Sequence, residues 1–316
     1  MPNVRDIKNR IKSVKNIGQV TRALEAVSAS RARKAQQQAL ASRPYAQKAW
    51  EVLVNVASQG GAGAVMHPLL QVRPSAKTIG ILLVSGDRGL AGAYNANIVR
   101  AATHFARQYC KQDCDVRWIT VGRKGRDSLL RMGGNVVAEF SNLPADLTIQ
   151  DCGPIARTLI DEFIRGDADY VFLAYTDFIN TLAQKPVVVN LLPLRPFQTE
   201  SELIQQYIKP EPNVTTAGRE YLYEPSMAAI LDEILPRFTE LQIYQAILES
   251  TASEHSARMI AMRNASENAE ALAGDLQLSF NKARQLAITS EILDIVGGVE
   301  ALREQAEQIA RSVSAG

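Results

Sequence analysis

The sequence predicts an α/β domain plus a coiled coil, with a Rossmann-like central domain inserted between two long terminal helices. Three observations lead to this prediction. Apolar residues recur at spacings of three and four near both ends of the 316-residue chain. Apolar runs alternate with helical patterns in the middle of the chain. The terminal helices are too long to bury their apolar stripes on a domain of this size, so they must pair with each other or with a partner.

The N-terminal segment predicts one helix over residues 3–58, with bends expected at Gly18 and Pro44. Its apolar residues form a stripe with spacings of mostly three and four, as on a helix that packs along one side. The stripe consists of Val4, Ile7, Ile11, Val14, Ile17, Val20, Leu24 and Val27. A glycine-rich stretch then begins a flexible connection that continues to Pro74.

The central segment carries five predicted strands. Thr78–Val84 is a continuous apolar run followed by Ser85 and Gly86, which is typical of a strand buried on both faces. The other strands are Val116–Val121, Val136–Phe140, Tyr170–Tyr175 and Val187–Leu192, and the helical patterns are Asn97–Cys110, Arg126–Met132 and Ile155–Ile164. This alternation predicts parallel pairs, while the irregular link before the last strand predicts an antiparallel hairpin at the sheet edge.

A second long helix is predicted to begin near Glu224 and to continue past Gly274 to Val313. Its apolar stripe is Met227, Leu231, Ile234, Phe238, Leu241 and Leu248. At about 1.5 Å per residue the two terminal helices would reach about 80 and about 130 Å, far beyond a domain whose radius of gyration is about 14 Å. The predicted domains are therefore residues 1–58, 75–210 and 220–316, with the first and last paired as a shaft.

The composition excludes several classes of protein. With 35 Lys and Arg against 33 Asp and Glu, the formal charge of +2 is not that of a globally basic nucleic-acid binder. No apolar run has the length of a membrane span, and the N-terminus lacks the apolar core of a secretory signal. The charge is unevenly distributed, with 11 bases and 3 acids over residues 1–58 and 6 bases and 10 acids over residues 249–316. Paired helices of opposite charge and two independently solvated helix faces both fit this asymmetry.

A glycine-containing loop, Ser85–Gly92, follows the first strand at a position where phosphates often bind. Its sequence, SGDRGLAG, matches neither the P-loop pattern nor the dinucleotide-binding pattern. We therefore favour a tight strand-to-helix turn, in which Asp87 and Arg88 fix the loop by local hydrogen bonds.

The remaining reactive residue types predict no catalytic centre. His67, His104 and His255 are scattered and lack neighbouring residues at metal-ligand spacing. The chain has three cysteines, too few for a disulfide scaffold and suited to a reducing compartment. Cys110 and Cys114 are interpreted as packing residues rather than as a zinc or redox site.

Two polar helical segments are candidate interaction sites. The basic residues Arg31, Arg33 and Lys34 have no aromatic neighbours to stack on bases, which favours a solvated or protein-facing surface over nucleic-acid binding. Arg284, Gln285, Thr289 and Glu291 interrupt an otherwise apolar helical pattern. The charges of this second set either pair within the helix or hydrogen-bond a partner.

Three segments of the chain together resemble the gamma-subunit family of F-type ATP synthases. They are Ile7–Leu24, which continues to Tyr45, then Ser85–Asn95, and finally Glu249–Ala265, which continues through Asn281–Glu291 to Leu302. The resemblance implies an antiparallel coiled-coil shaft inside a ring of three alpha and three beta subunits, with one copy per complex. The α/β domain would lie outside the ring, with the epsilon subunit and the c-ring as neighbours.

The resemblance also implies a function and a location. The subunit would be non-catalytic and without a cofactor, metal or nucleic acid, and it would couple proton flow through the c-ring to ATP synthesis or hydrolysis in the beta subunits. It would be a peripheral protein on the cytoplasmic face of the bacterial inner membrane, with no segment inserted into the membrane.

Individual residues match functional positions of the family. The implied contacts with the alpha/beta ring are Leu24, Arg31, Arg33, Lys34, Arg284, Gln285, Thr289 and Glu291, and those with epsilon and the c-ring are Tyr221, Tyr223 and Glu224. The chloroplast-type redox insertion is absent from the sequence, so Cys110 and Cys114 receive no redox role. Two other hypotheses remain: a nucleotide-binding enzyme that uses Gly86–Gly92, and a coiled-coil nucleic-acid binder with steeply salt-dependent affinity.

Overall fold

The computed structural model describes residues 4–59, 67–73, 77–110, 114–194 and 226–314. The chain divides into two compact units, one made of Met1–Leu24 with Met262–Gly316 and the other of Glu25–Ala261. The helices and strands are α1 (Val4–Gln59), a short 3₁₀ helix (Pro68–Leu70), β1 (Thr78–Val84), α2 (Tyr94–Tyr109), β2 (Asp115–Val121), α3 (Arg123–Arg131), β3 (Asn135–Phe140), α4 (Ile149–Arg165), β4 (Tyr170–Phe178), β5 (Gln184–Leu192) and α5 (Met227–Ser314).

The second unit contains a five-stranded sheet with the order β3-β2-β1-β4-β5. The first four strands are parallel, and β5 pairs antiparallel with β4. This mixed sheet confirms the predicted parallel alternation and the antiparallel hairpin at the edge. Six of the seven residues of β1 are buried, as its continuous apolar run predicts for a central strand.

Two apolar cores lie against opposite faces of the sheet, because successive side chains of a strand point to opposite sides. Leu82 and Val84 of β1 belong to the core that includes residues of α4 and of the first part of α5. Ile79, Ile81 and Leu83 belong to the other core, together with residues of α2. Burial on both faces places the sheet at the centre of a three-layer unit.

The helix α4 begins six residues before the predicted start, at Ile149. Thr148 and Asp151 form a capping box there, in which the backbone N–H of Thr148 donates to Asp151 Oδ2 at 2.8 Å. Pro154 lies within the helix and hid its first turns from the sequence pattern. The helix ends at Gly166, which has a positive φ of 83°.

The buried face of α1 differs from the predicted stripe. Ile7 and Ile11 are buried as predicted, but Ile17, Val20 and Val27 are about half exposed. The residues that are buried on this helix between positions 21 and 39 are small: Thr21, Ser28, Ala32, Ala35 and Ala39. The prediction is therefore wrong for Ile17, Val20 and Val27, since small side chains that allow close backbone approach occupy the packed face.

The interpretation of Cys110 and Cys114 as packing residues rather than a zinc or redox site is incomplete. The two sulfurs form a disulfide, with a Cα–Cα distance of 5.2 Å. The helix α2 ends at Tyr109 with Cys110 as its C-cap, so the chain leaves the helix before it reaches Cys114. Both cysteines nevertheless pack against the aromatic core on the α2 side of the sheet. The third cysteine, Cys152, is buried and unpaired, and burial raises its pKa to about 12.

Asp169 connects the start of β1 to the loop before β4. Its Oδ2 accepts hydrogen bonds from the backbone N–H groups of Lys77 at 2.8 Å and Thr78 at 3.0 Å, and Arg73 Nη1 lies 3.2 Å from Oδ1. Burial raises the pKa of this carboxyl, but the two N–H donors and Arg73 outweigh that effect, so the pKa lies below its usual value.

We expect Asp169→Asn to destabilise the second unit by about 1–3 kcal/mol at neutral pH, because an amide cannot accept all three hydrogen bonds. The native carboxylate stabilises the fold above the pKa of the unfolded chain, and this stabilisation is lost as the pH falls through the lower folded-state pKa. The difference in thermal midpoint between wild type and variant should therefore shrink as the pH is lowered. Asp167→Asn, at an exposed position two residues away, is the control. A difference independent of pH would contradict this account.

Candidate functional site

The loop Ser85–Gly92 connects β1 to α2 and binds the start of α3. Ser85 Oγ accepts a hydrogen bond from the backbone N–H of Gly125 at 2.8 Å and donates to the carbonyl of Val121 at 3.0 Å. The backbone N–H of Lys124 donates to the carbonyl of Gly86 at 3.0 Å. The loop is therefore fixed by the neighbouring strand and by the helix that follows it.

Asp87 completes the contacts at the N-terminus of α3. Its Oδ1 accepts from the backbone N–H of Arg123 at 3.1 Å, and its Oδ2 accepts from the backbone N–H of Asn142 at 3.0 Å. The first three N–H groups of α3 thus bond to the loop itself, and an acidic side chain occupies the place where a phosphate would bind. The tight-turn interpretation is confirmed for Asp87. The Arg88 side chain forms no hydrogen bond or ion pair with the described residues, and Arg88 contributes to the loop through its backbone carbonyl, which accepts from Asn95 Nδ2 at 3.5 Å.

A buried ion pair on α5 holds the same loop from the other side. Arg258 Nη2 lies 2.5 Å from Glu254 Oε1, and the Arg258 guanidinium also donates to the carbonyl of Gly89 at 3.2 Å. Burial raises the pKa of Glu254, and Arg258 opposes that rise. The absence of a side chain at Gly86 allows this approach, because a Cβ there would lie 2.8 Å from Glu254 Cδ.

His255 lies next to this pair on α5. Its pKa is lowered to about 4, first by burial and then by the positive charges of Arg258 and Arg31. The imidazole is therefore neutral at physiological pH. Tyr94, at the start of α2, is also buried, and burial together with Glu254 raises the pKa of its phenol.

These residues surround a cavity of about 570 Å³ within the second unit. It lies outside the carboxyl ends of β1, β2 and β3, where open α/β sheets bind ligands. The structure brings Arg31 and Lys34 of α1 together with the Ser85–Gly92 loop and Arg258 at this cavity. Glu254 and Arg258 were not predicted as site residues, although their spacing of four residues is typical of an ion pair within a helix.

The other predicted site residues are distributed elsewhere. Leu24 is partly buried, and Arg33 is exposed on α1. Arg284, Gln285, Thr289 and Glu291 are exposed on α5. Neither Arg284 nor Glu291 forms an ion pair with any residue that the structure describes, and Thr289 Oγ1 donates back to the carbonyl of Gln285 at 2.9 Å. Tyr221, Tyr223 and Glu224 lie outside the described residues.

The described part of the chain has neither a cluster of metal ligands nor a helix that could span a membrane. No group of three or more His, Cys, Asp or Glu residues is placed to hold a metal ion there. None of the helices described is both long enough and apolar enough to cross a bilayer.

Comparison with known proteins identifies the family. A family model described as ATP synthase matches residues 3–302. The ATP synthase gamma chain of Dehalococcoides mccartyi strain 195 is 46% identical over 302 residues, which cover 96% of this chain and 100% of the relative. The chain belongs to the ATP synthase gamma-chain family. The gamma chain of Herpetosiphon aurantiacus is 43% identical over 309 residues, again covering 96% of this chain and 100% of the relative.

Solved structures agree with this gamma-chain assignment at the level of the fold. The central stalk/c-ring structure of Tetrahymena thermophila mitochondrial ATP synthase matches with a TM-score of 0.58 and 23% identity, covering 78% of this chain and 99% of that chain. A chain of the Euglena gracilis mitochondrial ATP synthase in rotational state 3 matches with a TM-score of 0.61 and 18% identity, covering 95% and 94%. The resemblance noted in the sequence is confirmed, and as a gamma chain this protein is a non-catalytic subunit of ATP synthase.

Proposed function

We propose that this gamma chain is the rotating shaft of the central stalk of a bacterial F-type ATP synthase. Residues 1–58 and 220–316 would pair as an antiparallel coiled coil inside the ring of three alpha and three beta subunits. The α/β domain, residues 75–210, would lie outside the ring with the epsilon subunit and the c-ring. Proton flow through the c-ring would turn the shaft and change the conformations of the catalytic beta subunits. The complex would hold the chain as a peripheral protein on the cytoplasmic face of the inner membrane.

The exposed apolar surface near the end of α5 carries this proposal. Leu293 and Ile295 are 65% and 67% exposed, and at 100° per residue they lie about 160° apart around the helix. The other exposed apolar residues of this segment are Leu278, Leu286, Ile288, Ile292, Val296, Val299 and Leu302. A single partner helix covers only one stripe of a helix, whereas partners on all sides cover its opposite faces. A ring of subunits around α5 would cover the exposed apolar residues on both sides.

Contacts within each compact unit support the pairing of the terminal helices. In the first unit, Ser266 Oγ donates to the carbonyl of Gly18 at 3.3 Å, and Arg22 Nη2 lies 3.3 Å from Glu270 Oε2. In the second unit, Gln245 of α5 hydrogen-bonds Ser42 of α1. The Arg22–Glu270 pair also favours complementary charge between the helices over independently solvated faces, although both side chains are largely exposed and the pair contributes little stability.

The shaft would act on the ring by making different contacts with each of the three beta subunits. An asymmetric shaft that contacts each beta conformer differently changes the relative free energies of the open and closed catalytic sites. Because the shaft has no threefold symmetry and the ring has three catalytic sites, the three sites would be out of phase. Leu24, Arg31, Arg33 and Lys34 on α1 are proposed as ring contacts, and Tyr221, Tyr223 and Glu224 as contacts with epsilon and the c-ring.

Arg284 and Glu291 provide the sharpest test of the ring contacts. Both side chains are exposed and unpaired in the described structure, which favours a partner over pairing within the helix. We expect the double variant Arg284→Glu, Glu291→Lys to uncouple ATP hydrolysis from proton pumping in the assembled enzyme. The measurement is the ratio of proton translocation to ATP hydrolysis in membrane vesicles.

The control exchanges another charged pair on α5. Arg237 and Glu233 form an exposed ion pair with a distance of 3.2 Å, so the variant Arg237→Glu, Glu233→Arg preserves the pair while it reverses both charges. This control should retain wild-type coupling. Unchanged coupling in the Arg284 and Glu291 variant would refute the assignment of these two contacts, and failure of the chain to co-purify with three alpha and three beta subunits would refute the shaft.

A further inference from the structure

The cavity described above has more cationic than anionic side chains at its walls. Arg31, Lys34, Arg88 and Arg258 contribute four positive charges, whereas Asp87 and Glu254 contribute two negative charges. Its floor includes apolar residues from the ends of β1, β2 and β3. A cavity with apolar walls and a positive rim favours an anion that also carries some apolar or neutral surface.

The anionic side chains at the cavity already have partners. Asp87 accepts the two backbone N–H groups of Arg123 and Asn142, and Glu254 pairs with Arg258. Lys34 pairs with Asp146 at the rim. Arg31 and Arg88, in contrast, form no ion pair with the residues that the structure describes. Neither guanidinium group therefore has a carboxylate within ion-pair distance among those residues, and Glu254 interacts with Arg88 only at longer range.

We propose that this cavity binds a small phosphate-bearing anion, with Arg31 and Arg88 as its primary ligands and Arg258 and His255 completing the site. The planar guanidinium group suits this ligand, because its N–H donors bind two phosphate oxygens at once. The loop backbone is not the ligand here, since Ser85, Gly86 and Asp87 already accept the first N–H groups of α3. The site thus differs from a P-loop in using side chains from α1, α5 and the loop. All of these residues belong to the second unit. Arg31 is also one of the proposed ring contacts, so the site is tested in the unassembled chain.

His255 is a spectroscopic reporter for the site. The charged groups that act on it are Arg258 of α5 and Arg31 of α1. The other charged groups at the cavity are Lys34, Asp87, Arg88 and Glu254. Burial first and then the positive neighbours keep the imidazole neutral, and a bound anion would offset the effect of the neighbours and favour the protonated form. The full chain contains three histidines, which gives a simple NMR spectrum.

The experiment is a pH titration of histidine-labelled full-length protein by NMR, with and without phosphate compounds at millimolar concentration. We expect inorganic phosphate, pyrophosphate or ATP to raise the pKa of His255 by about one unit, with saturation. The resonances of the exposed His104 should not respond to these compounds. Tighter binding of inorganic phosphate would identify a free-phosphate site, and tighter binding of ATP would identify a site for nucleotide phosphates. Potassium chloride at matched ionic strength controls for screening.

Matched variants test the two ligands. Arg31→Gln with Arg88→Gln should abolish saturable binding, whereas Arg100→Gln with Arg107→Gln, which removes two exposed arginines of α2, should leave it unchanged. The proposal is overturned if no phosphate compound shifts His255, if chloride produces the same shift, or if an acidic peptide binds while phosphates do not. Saturable binding that persists in the folded Arg31 and Arg88 variant would also overturn it. If that variant does not fold, the titration of the wild-type protein tests the proposal alone, by whether phosphate compounds shift His255 and chloride does not.

Discussion

Gly122→Ala is expected to destabilise the second unit by about 3 kcal/mol or more, or to prevent its folding. Gly122 lies between β2 and α3 with a φ of 91°, a conformation that L side chains rarely adopt. A Cβ at this position would lie 2.7 Å from the carbonyl carbon of Ser85 and closer still to its oxygen. Ser85 has little room to move, because its backbone N–H donates to the carbonyl of Val121 at 2.8 Å.

Gly133→Ala is the matched control for this substitution. Gly133 also has a positive φ, of 75°, but an added Cβ there would have no atom within 4 Å. We expect a loss of about 1 kcal/mol from the backbone conformation alone. Thermal or urea unfolding gives the loss of stability in each variant. The difference between the two losses is the cost of the steric overlap with Ser85, because both variants share the cost of the positive φ. Equal losses would show that the close approach of Gly122 to Ser85 has no energetic consequence.

Arg258→Met is expected to have the second large effect, with a loss of about 3–5 kcal/mol. The side chains of Arg258 and Glu254 are only 11% and 16% exposed, so removal of the guanidinium leaves a buried carboxylate without its counter-charge. The carbonyl of Gly89 loses its donor as well. Because this carboxylate would be the main source of the cost, adding Glu254→Gln to the variant should restore part of the stability.

Arg237→Met provides the comparison on the same helix. Arg237 and Glu233 have the same spacing of four residues, but their side chains are about 70% exposed. Exposed pairs contribute only about 0–1 kcal/mol, so this variant should unfold close to the wild-type midpoint. A loss at Arg258 no larger than that at Arg237 would show that the buried pair does not hold the loop.

The sequence predicted the strands well, because burial on both faces of a sheet leaves continuous apolar runs such as Thr78–Val84. Helix starts were less predictable. The first two turns of α4 include Gln150, Asp151 and Pro154, and a capping box rather than an apolar stripe defines the start of the helix. The face of α1 was misassigned at Val20 and Val27, because the packed side uses alanine and serine, which carry little hydrophobic signal.

The candidate site was predictable only in part. The loop at Ser85–Gly92 and the basic residues of α1 were visible as motifs, but they are separated by more than fifty residues, and only the fold shows that they line one cavity. The low pKa of His255 depends on burial and on arginines from two helices, which no spacing pattern encodes. The disulfide between Cys110 and Cys114 depends on the end of α2, where the chain leaves the helix.

The small buried residues of α1 have a consequence for sequence variation. At Ala32, Ala35 and Ala39 the available space limits which amino acids fit. Exchange among glycine, alanine and serine keeps the interhelical distance, whereas a leucine or phenylalanine would push neighbouring backbones apart. Natural variants of this helix should therefore vary freely in hydropathy along the packed face while they remain nearly constant in volume.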